Sequence, residues 1–161
     1  MKVLKDLLTD EKIIFGDPDK VVVGLSNNSK EIKKDYIFFA VKGYSTDGHN
    51  YIEDAIKNGS NVIFIEDESW INRLNKDNIT LIKSENVRKS LSLISNRFYD
   101  NPSKDLKVIG ITGTNGKTTT SNLLAQYYQL AGYNVGVIGT INYRVGDEVI
   151  SAGHTTPDPV N

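Results

Sequence analysis

Residues 107–140 read KVIGITGTNGKTTTSNLLAQYYQLAGYNVGVIGT. An apolar, β-branched run, 107–112, gives way to GTNGK at 113–117. TTTSNLLAQYYQLAG follows, with Leu123, Leu124, Tyr127, Tyr128 and Leu130 on a helical apolar face and Gly132 as a stop. Strand, glycine loop and helix is the order in which successive backbone N–H groups and a helix N-terminus converge on an anion. In such a loop Lys117 stands as a point charge near the β- and γ-phosphates of a nucleotide, and Thr118 offers its hydroxyl to magnesium. The glycine spacing is unusual. The common phosphate loop has four residues between its first glycine and Gly-Lys, but Ile111 occupies that first position here, with Gly110 one residue early and Gly113 two late. A ligand-free glycine turn accounts for the glycines but gives no reason for a lysine and three threonines at a helix start. The expected phosphate-binding residues are therefore Gly113, Thr114, Asn115, Gly116, Lys117, Thr118 and Thr119, with Thr118 as the metal ligand.

Composition narrows what else the chain can be. With 19 basic and 20 acidic residues there is no electrostatic footprint for nucleic acid or an anionic membrane. The absence of cysteine removes disulfides, zinc thiolates and cysteine nucleophiles. MKVLKDLLTDEKIIFG is broken by Lys5, Asp6, Asp10 and Glu11 before a signal-peptide core develops, and no window approaches a membrane span, so the expectation is a soluble cytoplasmic protein.

Ahead of the loop, strand-length runs alternate with helical spacing. VVVGL (21–25), YIFFAV (36–41), NVIFIE (61–66), ITLIK (79–83), KVIGIT (107–112) and NVGVIG (134–139) read as strands. HNYIEDAIKNG pairs Tyr51/Ile52 with Ala55/Ile56 and stops at Gly59. NVRKSLSLISNRFYD places Val87, Leu91, Ile94 and Phe98 on one stripe. The pattern predicts an α/β fold with mainly parallel strands. YDNPSKDL, 99–106, combines a proline with turn formers and has no periodicity, so a domain boundary is expected there: 1–100 as one domain and 101–161 as the beginning of a second. Trp70, Tyr127 and Tyr128 read as packing residues rather than base-stacking ones. His49 reads as structural or exposed, and the acidic run 66–68 as a solvated loop, since nothing nearby is spaced to complete a metal shell.

GITGTNGKTTT resembles the ATP-binding loop of the Mur ligase family and its folylpolyglutamate and cyanophycin synthetase relatives, which carry this shortened form. Residues 28–67, NSKEIKKDYIFFAVKGYSTDGHNYIEDAIKNGSNVIFIED, resemble the N-terminal uridine-nucleotide domain of the branch that adds the third residue to UDP-N-acetylmuramoyl-L-alanyl-D-glutamate. That branch usually reads Asp-Ser-Arg and Asp-Leu-Phe where this chain has Asn28, Ser29, Lys30 and Tyr36, Ile37, Phe38. SAGHTTPDPVN resembles the His-Thr-Thr-Pro-Asp-Pro segment of the same family, following a strand pair expected over TINYRVGDEVIS with a turn near Gly146 and Asp147.

The resemblance implies an ATP-dependent carboxylate-amine ligase. ATP phosphorylates a carboxylate, and an amine displaces phosphate from the acyl phosphate; the cofactors are ATP and Mg2+, bound at 113–119 with Lys117 and Thr118 as the catalytic pair. The implied substrates are UDP-MurNAc-L-Ala-D-Glu and a diamino acid, L-lysine or meso-diaminopimelate, with no nucleic-acid or membrane partner. It places Asn27 and Ser29 beside the uridine, Tyr44, Ser45 and Thr46 on the loop approaching the nucleotide, and His154, Thr155 and Thr156 against the UDP-MurNAc-peptide. The two domains would be a UDP-substrate domain and the start of the central ATP-binding domain. The resemblance covers the whole chain but only the first third of such an enzyme, so the remainder of the ligase is expected elsewhere and this chain alone is expected to be inactive. From the residues themselves, 42–50 reads as an ordinary polar connection between strand and helix rather than a ligand loop; the resemblance is what makes it a nucleotide loop. A free-standing nucleotide-binding or regulatory module, or a polyglutamate- or cyanophycin-type ligase, is the alternative.

Overall fold

The computed structural model describes residues 1–161 except 44, 45, 75, 76, 147, 152–159 and 161. The chain divides into two compact units between Pro102 and Ser103.

The first unit is built on a five-stranded sheet. β1 (Lys2–Val3), α1 (Leu4–Leu7) and β2 (Lys12–Phe15) lead into β3 (Val21–Val22) and β4 (Gly24–Ser26). β5 (Tyr36–Phe39), α2 (Ile52–Lys57), β6 (Val62–Ile65), β7 (Thr80–Lys83) and α3 (Val87–Phe98) complete it. The order across the sheet is β2-β7-β6-β5-β4, with β4, β5, β6 and β7 parallel and β2 antiparallel on β7. β1 and β3 form a separate antiparallel pair. VVVGL is thus two strands rather than one. Each half takes a different partner, and Val23 between them donates its N–H to the Asp35 carbonyl at 3.0 Å.

The strands are short apolar runs because both faces of the sheet are covered. Side chains alternate between faces with period two. Ile37, Phe39, Val62, Phe64 and Ile82 pack with Val87, Leu91 and Ile94 of α3 and with Leu4 and Leu7 of α1. Phe38, Ala40, Ile63, Ile65 and Leu81 pack with Ile52 and Ala55 of α2. The predicted stripe of α3 is the buried one, Phe98 lying partly buried at its end. Asn86 starts that helix by accepting the Lys89 N–H at 2.8 Å, and Glu66 accepts the Val87 N–H at 2.8 Å. The HNYIEDAIKNG segment opens as a 3-10 turn, Gly48–Tyr51, before α2 begins. At its far end Gly59 has φ 108°, and a Cβ there would lie 2.9 Å from the Lys34 backbone, so both the turn and the close approach require glycine.

The acidic run 66–68 is spent on structure. Glu66 caps α3, Asp67 accepts the Ser69 N–H at 2.8 Å, and Glu68 pairs with Lys83. Trp70, half-buried, packs against the α2-side cluster with the Arg73 guanidinium 5.3 Å above its ring.

In the second unit α4 (Lys117–Leu130) is followed by β8 (Gly136–Ile138), β9 (Asn142–Val145) and β10 (Glu148–Ser151). These strands form an antiparallel meander, so the expectation of mainly parallel pairing does not extend to the described strands here. Val145 pairs with Glu148, a two-residue hairpin connection that includes Gly146 at φ 59°; Asp147 lies outside the described residues. Residues 107–112, expected as a strand, pair with nothing among the described residues: β8 spends its pairing on β9, and Val108 and Ile109 are exposed. A strand exists only through a neighbour's hydrogen bonds, which no local propensity supplies. Tyr127, expected to pack, is exposed and touches the ring of Tyr128 edge-on at 5.6 Å.

Candidate functional site

The glycine loop and the start of α4 bring Gly113, Thr114, Asn115, Gly116, Lys117, Thr118 and Thr119 together, all exposed. Gly113 (φ 148°) and Gly116 (φ 78°) take backbone conformations that side chains resist, and Gly116 hands the chain directly into the helix. The first intrahelical bond into the loop is Thr120 N–H to the Gly116 carbonyl at 2.9 Å, so the N–H groups of the first turn before it face out of the helix. The Lys117 ammonium folds back over the loop, donating to the Gly113 carbonyl at 2.5 Å and the Thr114 carbonyl at 3.4 Å. A Cβ added at Gly116 would meet nothing within 4 Å, and one at Gly113 only the Asn115 carbonyl at 3.6 Å. The loop is therefore open beside both glycines, and it presents backbone N–H groups, the Lys117 ammonium and an exposed Thr118. That donor set suits a polyphosphate and, through Thr118, a hard divalent cation.

Of the residues expected beside the uridine, the described ones, Asn27, Ser29 and Thr46, lie in the first unit, on segments that follow the carboxyl ends of β4 and β5. These neighbours are parallel, so the two loops emerge at one edge of the sheet, where open α/β sheets bind ligands. After β4, Asn27 is half-buried and Ser29 buried. The Ser29 carbonyl is held by Asn58 Nδ2 at 2.8 Å. A reciprocal cap shapes this turn: Asn28 Oδ1 accepts the Lys30 N–H at 3.1 Å, while Asn28 Nδ2 and Ser26 Oγ donate to Glu31 at 3.0 and 3.1 Å. Sequence reasoning missed Ser26 and Glu31, although Asn-x-x-Glu is a capping signal. After β5, Gly43 N–H donates to the Thr46 carbonyl at 2.9 Å and Lys42 bridges Asp47, which closes the loop at its base. Thr46 is exposed. Tyr44, Ser45, His154, Thr155 and Thr156 lie outside the described residues.

Asp47 does not face outward as a ligand group. Its Oδ1 accepts the His49 backbone N–H at 3.0 Å and meets His49 Nδ1 at 2.6 Å. Burial alone would raise its carboxyl, but the hydrogen bonds from the His49 backbone N–H and ring, together with the nearby Lys42 ammonium, outweigh that and leave its pKa below the ordinary 3.8. A carboxyl whose folded pKa is depressed contributes stability above its unfolded value, and the contribution is lost as pH falls through the folded value. The unfolding temperature of the first unit should therefore decline below about pH 4. Asp47→Asn should decline less steeply; identical pH slopes for the two proteins would remove Asp47 from the acid response.

Two sequence families match the chain: "Mur ligase family, catalytic domain" over residues 21–99 and "Mur ligase middle domain" over 111–161. A UDP-N-acetylmuramoyl-L-alanyl-D-glutamate--2,6-diaminopimelate ligase of Clostridium tetani is 43% identical over 98% of this chain and 32% of its own length. The protein of the same name from Aquifex aeolicus is 44% identical over 88% of this chain and 28% of its own. Among solved structures, a ligase of that name aligns over 92% of this chain and 29% of its own, with TM-score 0.67 and 25% identity. The MurF ligase of Thermotoga maritima in complex with ADP aligns over 68% of this chain and 23% of its own, with TM-score 0.51 and 30% identity. The chain spans about a third of the length of the curated relatives it matches. The shortened glycine loop and the 28–67 segment thus have their counterpart in these proteins, and the chain belongs to the Mur ligase family.

Proposed function

We propose that this chain supplies the uridine-nucleotide-binding unit and the ATP phosphate loop of a cytoplasmic, ATP-dependent ligase that joins a diamino acid to UDP-N-acetylmuramoyl-L-alanyl-D-glutamate. Residues 1–100 form the UDP-substrate domain and 101–161 the beginning of the central ATP-binding domain. The observation that carries the reading is the loop at 113–119. Its paired positive-φ glycines lead into a helix that starts on Lys117, in a chain whose relatives are named for this reaction. Those names favour 2,6-diaminopimelate over L-lysine as the added residue.

In this reading Asn27, Ser29, Tyr44, Ser45 and Thr46 hold the uridine end, and His154, Thr155 and Thr156 touch the muramoyl-peptide. The backbone N–H groups of 113–119 and the Lys117 ammonium hold the phosphates, and Thr118 holds magnesium. Magnesium, when bound, neutralises charge on the transferring phosphoryl group. The chain's own contribution is to offer the phosphates a cluster of N–H donors and a fixed positive charge beside them, so that a poor electrophile, the substrate carboxylate, can be activated. Among the described residues no helix is long and apolar enough to cross a membrane.

The test is a titration of the chain with UDP-N-acetylmuramoyl-L-alanyl-D-glutamate and, separately, with Mg-ATP, followed by amide shifts. The first compound should perturb Asn27, Ser29, Gly43 and Thr46, and the second 113–120. Perturbation by ATP alone would leave the phosphate loop standing and remove the peptidoglycan-precursor substrate.

A further inference from the structure

The first unit contains one buried imidazole that the proposed chemistry does not use. His49 is 4% exposed and sits between two loops at the carboxyl edge of the sheet. Its Nε2 lies 3.1 Å from the Glu66 N–H and 3.3 Å from the Asp67 N–H, both just past β6. Two N–H groups converging on Nε2 make that nitrogen an acceptor, so the ring proton is on Nδ1 and is donated to Asp47 Oδ1 at 2.6 Å. The ring thus ties the base of the 42–47 loop, after β5, to the end of the next strand 17 residues later. Gly48 makes this possible: a Cβ there would lie 2.6 Å from the Val41 carbonyl oxygen, so only glycine lets the chain fold tightly enough to turn His49 inward. The charged groups around the ring are Asp47 and Lys42 from its own loop and Glu66 and Asp67 from the end of β6. Glu66 is already engaged with the Val87 N–H and Asp67 with Ser69.

We propose that His49 is a positioning residue for uridine-nucleotide recognition, holding Lys42, Gly43, Thr46 and Asp47, the base of the loop after β5, against the end of β6 so that Gly43 and Thr46 are already in place when the ligand arrives. This rests on the substrate reading given above. A loop base so pinned is ordered on folding rather than on binding, and that raises affinity without any contact from the ring. A core histidine with a purely structural part would lower unfolding temperature and leave the affinity of the folded chain alone.

The two halves of the bridge can be separated. His49→Asn keeps a donor near the Nδ1 position for Asp47 and loses the β6 amides; His49→Gln reaches those amides with its oxygen and loses Asp47. Each chain is titrated with UDP-N-acetylmuramoyl-L-alanyl-D-glutamate well below its unfolding temperature, with folding verified by Trp70 emission. Both variants should bind on the order of tenfold more weakly than wild type, the loss expected when buried hydrogen bonds of this kind are broken. Gly43 amide exchange should accelerate in both. Ile94→Val, a core change remote from the loop, should bind as wild type does. If a histidine variant fails to fold, Asp47→Asn breaks the same bridge from its more exposed end and should weaken binding in the same direction. Wild-type affinity in every bridge variant overturns the positioning role and leaves the substrate reading intact. A wild-type chain that takes up no ligand overturns both, and is recognised because the unmodified protein is itself silent.

Discussion

Phe64→Ala should remove about 3–5 kcal/mol from the first unit, the usual cost of deleting a fully buried aromatic ring. Phe64 has no solvent exposure, lies on a strand with neighbours on both sides, and stacks on Phe39 with centroids 4.6 Å apart. Strands that are hydrogen-bonded on both edges cannot close in on the void. A unit of this size has a total stability of roughly 5–15 kcal/mol, so the substitution takes a large fraction of it. At about 4–8 °C per kcal/mol, the unfolding temperature should drop by more than about 10 °C. The only tryptophan of the chain, Trp70, packs against the opposite face of the same sheet, and its fluorescence reports the transition without interference from the second unit. A drop of only a few degrees would mean that the α3-side layer is loosely packed.

Lys117→Ala should have the opposite profile: almost no effect on stability and a large one on nucleotide binding. The ammonium's bonds to the Gly113 and Thr114 carbonyls are exposed, and water replaces them. A charge-assisted bond to a bound phosphate contributes about 1.5–3 kcal/mol. Affinity for Mg-ATP should therefore fall by roughly 10- to 150-fold, and a ligase carrying the substitution should lose turnover by on the order of 10²–10³. Lys117→Arg should not restore it, since a planar fork does not reproduce a compact charge at the loop's mouth. Calorimetric titration with Mg-ATP decides it; unchanged affinity in the alanine variant would remove Lys117 from the phosphate site.

What could be read in the sequence follows from the range of the interactions involved. The α3 stripe of Val87, Leu91 and Ile94 and the buried runs of β5, β6 and β7 announce themselves because period and hydrophobicity are local properties. The glycine loop was legible for the same reason: its glycines, lysine and threonines are contiguous. The run 107–112 has the composition of a strand but no partner among the described residues, and composition cannot provide one. β2 is four residues among charges and is a strand only because β7 offers an edge. The role of His49 was beyond reach because its partners on one side are 17 and 18 residues away and are backbone groups that carry no side-chain signature.

The two edges of the first unit's sheet bear on how the chain behaves in a crowded solution. β4 has only three residues, all buried, and β2 is interrupted by a register shift between Ile13 and Phe15. A second chain seeking to add a strand would find too short a ladder at one margin and a bent one at the other, the same devices that protect natural sheets from sticking to one another. An inner layer as apolar as β5, β6 and β7 is an amyloid hazard when uncovered. In the folded unit it lies three strands deep between edges that make poor templates, so self-association should depend on unfolding first and rise with the population of open chains rather than with protein concentration alone.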